Sequence, residues 1–309
     1  MKPATLCQAC VVGVFCFVSA ALRGAEVTER PRGLWFWSKP SSPHGAANVV
    51  GDAAHETEAL AAFRRWNVRR LYGSYATLPD TAPAALAAWN RRLHENGVRS
   101  ESLFSDAAAL TPPGRAALLK QIDERVLRFN AGRSKVEERF DGIALDIEPH
   151  ALPRWKDGTA ADRRALLEEF LTTCLALRAH LDEHGGGALP ISAALACWLD
   201  RLPPEGRVGW ASAADRDGWF ARLARGVASI SLMAYERSRA DAVLEATAWE
   251  RANFSGQTVT ALRARLGIEW KSPADLRAVL PQVEAASPLG VDLENYELLR
   301  LAEVASIPP

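Results

Sequence analysis

Cysteine is scarce in this sequence, and three of its five cysteines lie within the first 16 residues. Only Cys174 and Cys197 remain in the rest of the chain, and both have apolar neighbours. Apolar surroundings favour two buried thiols over a disulfide, so we expect a fold that does not depend on cross-links.

An excess of charge of either sign is also absent. Lys and Arg together number 37, as do Asp and Glu, which gives a formal net charge of zero. Binding to nucleic acid or to an acidic membrane surface requires a basic surface on the protein. We therefore expect neither of them as a partner.

Several motifs of common enzyme classes are missing. The segment after the first predicted strand has no Gly-rich GxGxxG loop for a phosphate group, and no GxSxG turn offers a serine nucleophile. His180 and His184 stand four residues apart on a predicted helix, a spacing that can bind metal. The HExxH pattern is absent, however, and the helix dipole favours histidines at a helix C-terminus. The sequence therefore predicts neither a metal site nor a cofactor.

An apolar segment occupies the N-terminus. A single Lys precedes a hydrophobic run from about Leu6 to Ala21, which ends in small residues. This layout is typical of a secretory signal peptide, and the run is shorter than the span of about 20 apolar residues that crosses a membrane. We predict a signal peptide over residues 1–25 and a mature chain over 26–309 without a membrane span. The protein would then be secreted or periplasmic; an uncleaved anchor is the alternative.

Strand-like and helical segments alternate along the rest of the chain. Leu86, Trp89 and Leu93, for example, follow a helical spacing and precede an Asn-Gly stop signal. The alternation predicts a parallel sheet buried on both faces, and eight units in a chain of this length predict a single-domain α/β fold, the (β/α)8 or TIM barrel. A doubly wound sheet is the alternative. The eight predicted strands are 32–39, 68–75, 98–106, 140–148, 190–198, 228–236, 262–270 and 289–296.

The fourth of these strands ends in two carboxylates. Side chains alternate along a strand, so Ala144, Asp146 and Glu148 share one face of the segment FDGIALDIE. The active site of a (β/α)8 barrel lies at the C-terminal ends of its strands, where acids and aromatic residues gather in this sequence. Carboxylates beside aromatic rings are typical of a carbohydrate site.

The same segment resembles the fourth-strand signature DxxDxDxE of glycoside hydrolase family 18, the chitinase-like barrels. The pattern stands here as Asp141, Ala144, Asp146 and Glu148. The resemblance is divergent at one position, because Ala144 replaces the middle Asp of the signature. In the family, that Asp shares a proton with the next Asp.

The segment SLMAYE, residues 231–236, is similar to the sixth-strand MxYD of the same family, with Glu236 where Asp is usual. The resemblance implies an exported glycoside hydrolase that acts on a polysaccharide or oligosaccharide, with substrate-assisted cleavage next to an N-acetyl sugar. Glu148 would protonate the leaving oxygen as the general acid. Asp146 would orient the acetamido group, and the hydroxyl of Tyr235 would donate a hydrogen bond to its carbonyl.

Two further interpretations stay open. Glu269 lies near the predicted end of the seventh strand, so Glu148 and Glu269 would suit the acid/base and the nucleophile of a clan A retaining glycosidase. Such pairs have carboxyl groups about 5–5.5 Å apart. Alternatively, the barrel binds carbohydrate without cleaving it, as chitinase-like lectins do.

Other residues at the predicted strand ends are candidates for contact with the carbohydrate substrate. Aromatic rings would stack on sugar rings, and carboxylates would accept hydrogen bonds from hydroxyl groups. Core packing and solvated strand ends are the structural alternatives for the same positions. These substrate-binding candidates are Tyr75, Trp198, Trp270, Asp292 and Glu294.

Overall fold

The computed structural model describes residues 30–304 and forms a closed barrel of eight parallel strands. Each strand pairs with the next one along the chain, and the last pairs with the first. This arrangement confirms the predicted (β/α)8 fold. The strands are β1 (Arg32–Phe36), β2 (Val68–Gly73), β3 (Arg99–Phe104), β4 (Gly142–Leu145), β5 (Ile191–Ala196), β6 (Ser229–Met233), β7 (Thr258–Arg263) and β8 (Val291–Glu294).

Helices connect successive strands. The helix Pro112–Ile122 continues through a π-helical turn, Asp123–Leu127, into the helix Arg128–Ala131. The α-helices are α1 (Ala46–Val49), α2 (Ala53–Arg65), α3 (Leu78–Thr81), α4 (Pro83–Glu95), α5 (Pro112–Ile122), α6 (Arg128–Ala131), α7 (Pro153–Lys156), α8 (Ala160–Glu183), α9 (Ala213–Gly226), α10 (Ala240–Ala246), α11 (Ala248–Asn253), α12 (Pro273–Ala286) and α13 (Tyr296–Val304).

Short polar side chains cap the N-termini of two of the longer helices. At the start of α8, the hydroxyl of Thr159 accepts a hydrogen bond from the backbone N–H of Asp162, whose carboxylate accepts one from the backbone N–H of Thr159. Ser272 and Asp275 form the same reciprocal pair at the start of α12. Such capping boxes satisfy N–H groups that have no partner within the helix.

The predicted signal peptide, residues 1–25, lies outside the described residues. Between residues 30 and 304, no helix combines the length and the apolar character that crossing a bilayer demands.

The seventh strand begins earlier than the sequence suggested. It runs from Thr258 to Arg263, whereas the prediction placed it at 262–270. The chain then turns at Gly267, which has a φ of 79° and donates its N–H to the carbonyl of Trp270 at 2.7 Å. Positive φ is a conformation that glycine adopts without steric cost. Glu269 and Trp270 therefore belong to a loop after β7, not to the strand itself.

Aromatic side chains fill the layer between the strands and the helices. Phe36 of β1 points outward and contacts Trp89 of α4 and Tyr296 of α13, with ring centroids 6.0 and 5.6 Å apart. All three rings are at most 1% exposed. Burying one such ring contributes about 1.5–3 kcal/mol to stability, so this layer holds the helices to the barrel.

A polar network fills the interior of the barrel around Asp292. Its carboxylate accepts hydrogen bonds from Arg70 at 2.9 Å, Tyr72 at 3.0 Å and Ser231 at 2.6 Å. These residues belong to β2 and β6, which do not pair with β8, so the bonds cross the interior. Gly33 makes room for the carboxylate of Asp292, since a Cβ at position 33 would lie 2.0 Å from its Oδ1. The side chain of Asp292 is thus 0% exposed and links strands, and its contact with substrate stays a prediction.

Candidate active site

The end of β4 places Asp146 and Glu148 at the mouth of the barrel. The backbone N–H of Asp146 donates to the carbonyl of Phe104 at 2.9 Å, which extends the pairing with β3 by one residue. The side chain of Glu148 is 35% exposed and so faces the opening. In contrast, Oδ1 of Asp146 is buried and has no hydrogen-bond partner among residues 30–304.

The surroundings of Asp146 favour its neutral form. Burial is the largest cause, and the negative charges of Glu148 and Glu294 add to it. Together they raise the pKa of Asp146 to about 7. A buried carboxyl without a donor is costly for the fold, and such groups concentrate at functional sites.

Tyr235 follows β6 and joins the same site. Burial, followed by the charges of Glu294 and Asp146, raises the pKa of the Tyr235 hydroxyl well above its usual value. The hydroxyl therefore remains protonated and able to donate a hydrogen bond. The structure thus brings together four of the residues that the sequence singled out: Asp146, Glu148, Tyr235 and Glu294.

Arg263 contacts two members of this group, although no motif in the sequence pointed to it. Its guanidinium lies 4.5 Å from the centroid of the Tyr235 ring, and its Nε donates to Oε2 of Glu294 at 2.5 Å. The seventh strand was predicted at 262–270, so Arg263 lay near its predicted start and not at its C-terminal end. The sequence does carry a signal for this strand in TVTALR, a β-branched and apolar run that ends in a cation.

Glu269 is held within its own loop. Its carboxylate oxygens accept hydrogen bonds from Nε and Nη2 of Arg265 at 3.0 and 2.9 Å, and Nη1 of Arg263 lies 3.8 Å away. The side chain is 1% exposed. Both oxygens are thus engaged by arginine.

The three aromatic candidates lie in different environments. Trp198 is half-buried and faces a cavity next to Glu148. Trp270 is 1% exposed and donates its indole N–H to the carbonyl of Arg263 at 2.7 Å. Tyr75 is 2% exposed and accepts the indole N–H of Trp89 at 3.2 Å. Trp270 and Tyr75 are therefore buried residues of the core, and their stacking on a sugar stays a prediction.

A second pair of aromatic rings stands at the end of β1. Trp35 packs on Tyr72 with ring centroids 4.7 Å apart, which places it on the interior face of the barrel. Trp37 stacks on Trp35 at 6.1 Å with an angle of 15° between the rings. Trp37 is half-buried, and the buried indole N–H of Trp35 has no partner among the described residues. This stack forms an aromatic wall at the end of β1.

The two histidines with metal-like spacing are engaged elsewhere. Nε2 of His180 lies 2.6 Å from Oδ1 of Asp123, and Nδ1 of His184 lies 2.8 Å from the carbonyl oxygen of His180. Over residues 30–304, no cluster of three or more His, Cys, Asp or Glu side chains is arranged to hold a metal ion.

Solved structures share this architecture. The chain is similar to the PgaB (BpsB) glycoside hydrolase domain from Bordetella bronchiseptica, with 9% identity and a TM-score of 0.53 over 91% of this chain and 100% of that one. A class V chitinase from Nicotiana tobaccum has 13% identity and a TM-score of 0.52, over 91% and 99%. The chain therefore has the fold of these glycoside hydrolases.

A third match to this glycoside hydrolase fold is the spore cortex-lytic enzyme SleL from Bacillus megaterium, with 12% identity and a TM-score of 0.53 over 90% of this chain and 74% of that one. No protein-family model and no curated protein matches the sequence itself. The resemblance to chitinase-like barrels is thus confirmed at the level of the fold, and the role of each residue rests on the site geometry.

Proposed function

We propose that this protein hydrolyses glycosidic bonds in an oligosaccharide or polysaccharide, with Glu148 as the general acid. The fold is shared with chitinases and with glycoside hydrolase domains. Glu148 follows the C-terminal end of a strand, which is where the active site of such barrels lies. Its side chain is exposed enough to reach a bound sugar.

The observation that carries the mechanism is the unpartnered Oδ1 of Asp146. The N–H of an N-acetyl group would satisfy this atom, and Tyr235 would donate its hydroxyl hydrogen to the acetyl carbonyl. The carbonyl oxygen then attacks the anomeric carbon while Glu148 gives its proton to the leaving oxygen, which forms a cyclic oxazolinium ion. Water opens this ion, and Glu148 takes a proton back from the water.

Ala144 changes one part of this scheme. It is fully buried and stands where the family signature has an Asp, so Asp146 has no neighbouring acid on β4 with which to share a proton. A carbohydrate-binding barrel without turnover is therefore the second candidate function. Glu269 is a poor nucleophile by comparison, since two arginines contact its buried carboxylate.

The test is hydrolysis of chitotetraose and other N-acetylated oligosaccharides by the wild type and by variants. We expect Glu148→Gln to lower kcat by about 10²–10⁴-fold, the usual contribution of a general acid. Glu183→Gln is the matched control, because Glu183 is exposed at the end of α8 and forms no salt bridge with a described residue. Binding by Glu148→Gln together with no turnover by the wild type on a broad panel would establish the binding protein instead.

Fluorination of the substrate separates the two hydrolytic mechanisms. Replacing the acetyl group by trifluoroacetyl makes its carbonyl oxygen a weaker nucleophile. A substrate-assisted enzyme should therefore slow strongly on the fluorinated substrate. An enzyme that uses Glu269 should keep its rate on that substrate and lose it in Glu269→Gln.

We also propose that the protein is exported. The support is the N-terminal pattern, one Lys followed by a short apolar run with small residues at its end. Expression of the full chain in a bacterial host, followed by mass spectrometry of its N-terminus, tests this proposal. Cleavage near residue 20 to 25 of the sequence supports export, whereas an intact N-terminus in the membrane fraction indicates an uncleaved anchor.

A further inference from the structure

A cavity next to Glu148 has four cations among the residues that line it. It has a volume of about 440 Å³ and lies between the segments that follow β4 and β5. Lys156, Arg163, Arg201 and Arg207 line it, together with a single carboxylate, that of Glu205. The chain as a whole has a formal net charge of zero, so the positive excess is local to this cavity.

No carboxylate of the described residues, 30–304, forms a salt bridge with any of these four cations. Arg163 is fixed instead by backbone carbonyls: it donates to Trp155 at 2.9 Å, to Gly158 at 3.0 Å and to Arg207 at 3.0 Å. Carbonyl groups orient a guanidinium but do not neutralise its charge. The other three cations are exposed to solvent. The cavity therefore offers several positive charges to an incoming anion.

Aromatic rings connect this cavity to the proposed catalytic acid. Trp198 packs against His150 and Trp155, with ring centroids 5.5 and 5.9 Å apart, and all three residues line the cavity. Nε2 of His150 lies 3.9 Å from Oε1 of Glu148. A sugar ring in the cavity would thus be directly adjacent to a bond held at Glu148.

We propose that this cavity binds an acidic sugar, so that the substrate is an anionic oligosaccharide. The shared chemistry is an anionic group, a carboxylate or a sulfate, on the sugar next to the cleaved bond. Guanidinium groups pair with both kinds of anion through parallel N–H donors, while Trp198 supplies a face for the sugar ring. The position of the cleaved bond rests on the proposed function; the anion site does not.

Calorimetry with three probes tests the inference in a Glu148→Gln background, which prevents turnover. The probes are a hyaluronan tetrasaccharide, its neutral derivative with the carboxyl groups reduced to alcohols, and chitotetraose with 6-O-sulfate groups. We expect an anionic probe to bind about tenfold or more tightly than the neutral one, and the preference to shrink as salt is raised.

Two double variants locate the effect. Arg201→Gln/Arg207→Gln should weaken binding of the anionic probe about tenfold and leave the neutral probe unchanged. Lys120→Gln/Arg225→Gln removes the same charge from exposed positions on α5 and α9 outside the cavity, and should change neither. Unfolding temperatures of both doubles verify that each remains folded.

Different results would overturn the anion site and the proposed hydrolysis. Equal affinity for charged and neutral probes, or equal losses in the two doubles, overturns the anion site. A preference for hyaluronan identifies the carboxylate, and a preference for the sulfated probe identifies sulfate. Wild-type protein that binds an anionic probe through the cavity but cleaves none of the probes contradicts the proposed hydrolysis and leaves the anion site intact.

Discussion

Asp146 and Glu148 leave the end of β4 on the same side, and the charge of Glu148 contributes to raising the pKa of Asp146 to about 7. Burial is the larger cause, and Glu294 on β8 adds a third. Neither carboxylate has an arginine or lysine partner among the described residues. The barrel thus carries an electrostatic cost at its mouth that a ligand with an N–H donor would relieve.

Asp146→Asn should stabilise the protein increasingly as pH rises above about 4, with the full gain above about pH 7. The folded pKa of Asp146, about 7, lies above its ordinary value of 3.8, so the wild type loses stability as pH rises between them. We expect the variant to be more stable by about 4 kcal/mol at pH 8 and equal to the wild type near pH 3.5. Urea unfolding at both pH values measures the difference. Asp157→Asn, at an exposed position without a salt bridge, is the control, and a gain that did not vary with pH would contradict this explanation.

Arg263→Met should lower kcat, by about 10- to 100-fold, because it releases Glu294 and removes the cation beside the Tyr235 ring. Arg265→Met is the matched control. Both arginines contact Glu269, but Arg265 forms no hydrogen bond or salt bridge with Glu294 or Tyr235. Steady-state kinetics on an N-acetylated oligosaccharide separates kcat from KM. An equal loss of kcat in the two variants would show that the effect acts through Glu269, which both arginines contact, and not through Tyr235.

Arg70→Met should destabilise the fold by about 3–5 kcal/mol, since it leaves the charge of Asp292 buried without its cation. Arg99→Met, at the exposed start of β3, should change stability by about 0.5 kcal/mol or less. Denaturant unfolding of both variants measures these free energies. A cost for Arg70→Met no greater than for Arg99→Met would show that water or another donor replaces the guanidinium.

Glu250→Gln should stabilise the protein at neutral pH. Both carboxyl oxygens of Glu250 are buried without a partner among the described residues, and burial, with the charge of Asp200, raises its pKa well above the ordinary value. The wild type therefore loses stability as pH rises above about 4.5, and Gln, which has the same shape, does not. We expect a gain of about 1–3 kcal/mol at pH 7 that disappears near pH 4. Thermal unfolding across this range, with Glu183→Gln as control, detects it.

Much of the fold could be predicted because it is encoded in local patterns. Runs such as GIAL in β4 and ISLM in β6 are apolar on both faces, which is the pattern of a parallel sheet covered by helices. The same alternation placed Asp146 and Glu148 on one side of their strand. Those inferences depend only on residues that are close in sequence.

The environments of the site residues could not be predicted in the same way. Asp292, Trp270 and Tyr75 stand near strand ends just as Glu294 and Trp198 do, and no local pattern separates the two groups. Asp292 is buried because Arg70 reaches it from another strand, and Trp270 is buried because its loop folds back onto Arg263. Partners distant in sequence decide which of these side chains are buried in the structure and which lie at the barrel mouth.

The sequence by itself determined the eight alternating units and the pair of carboxylates at the end of β4, because the period of a strand and the run of its apolar residues are local properties. Only the tertiary structure decided that Tyr235, Arg263 and Glu294 meet beside that pair, and that Lys156, Arg163, Arg201 and Arg207 share one cavity next to it. Closure of the barrel brings strands four positions apart into the same mouth, and electrostatic interaction depends on distance in space.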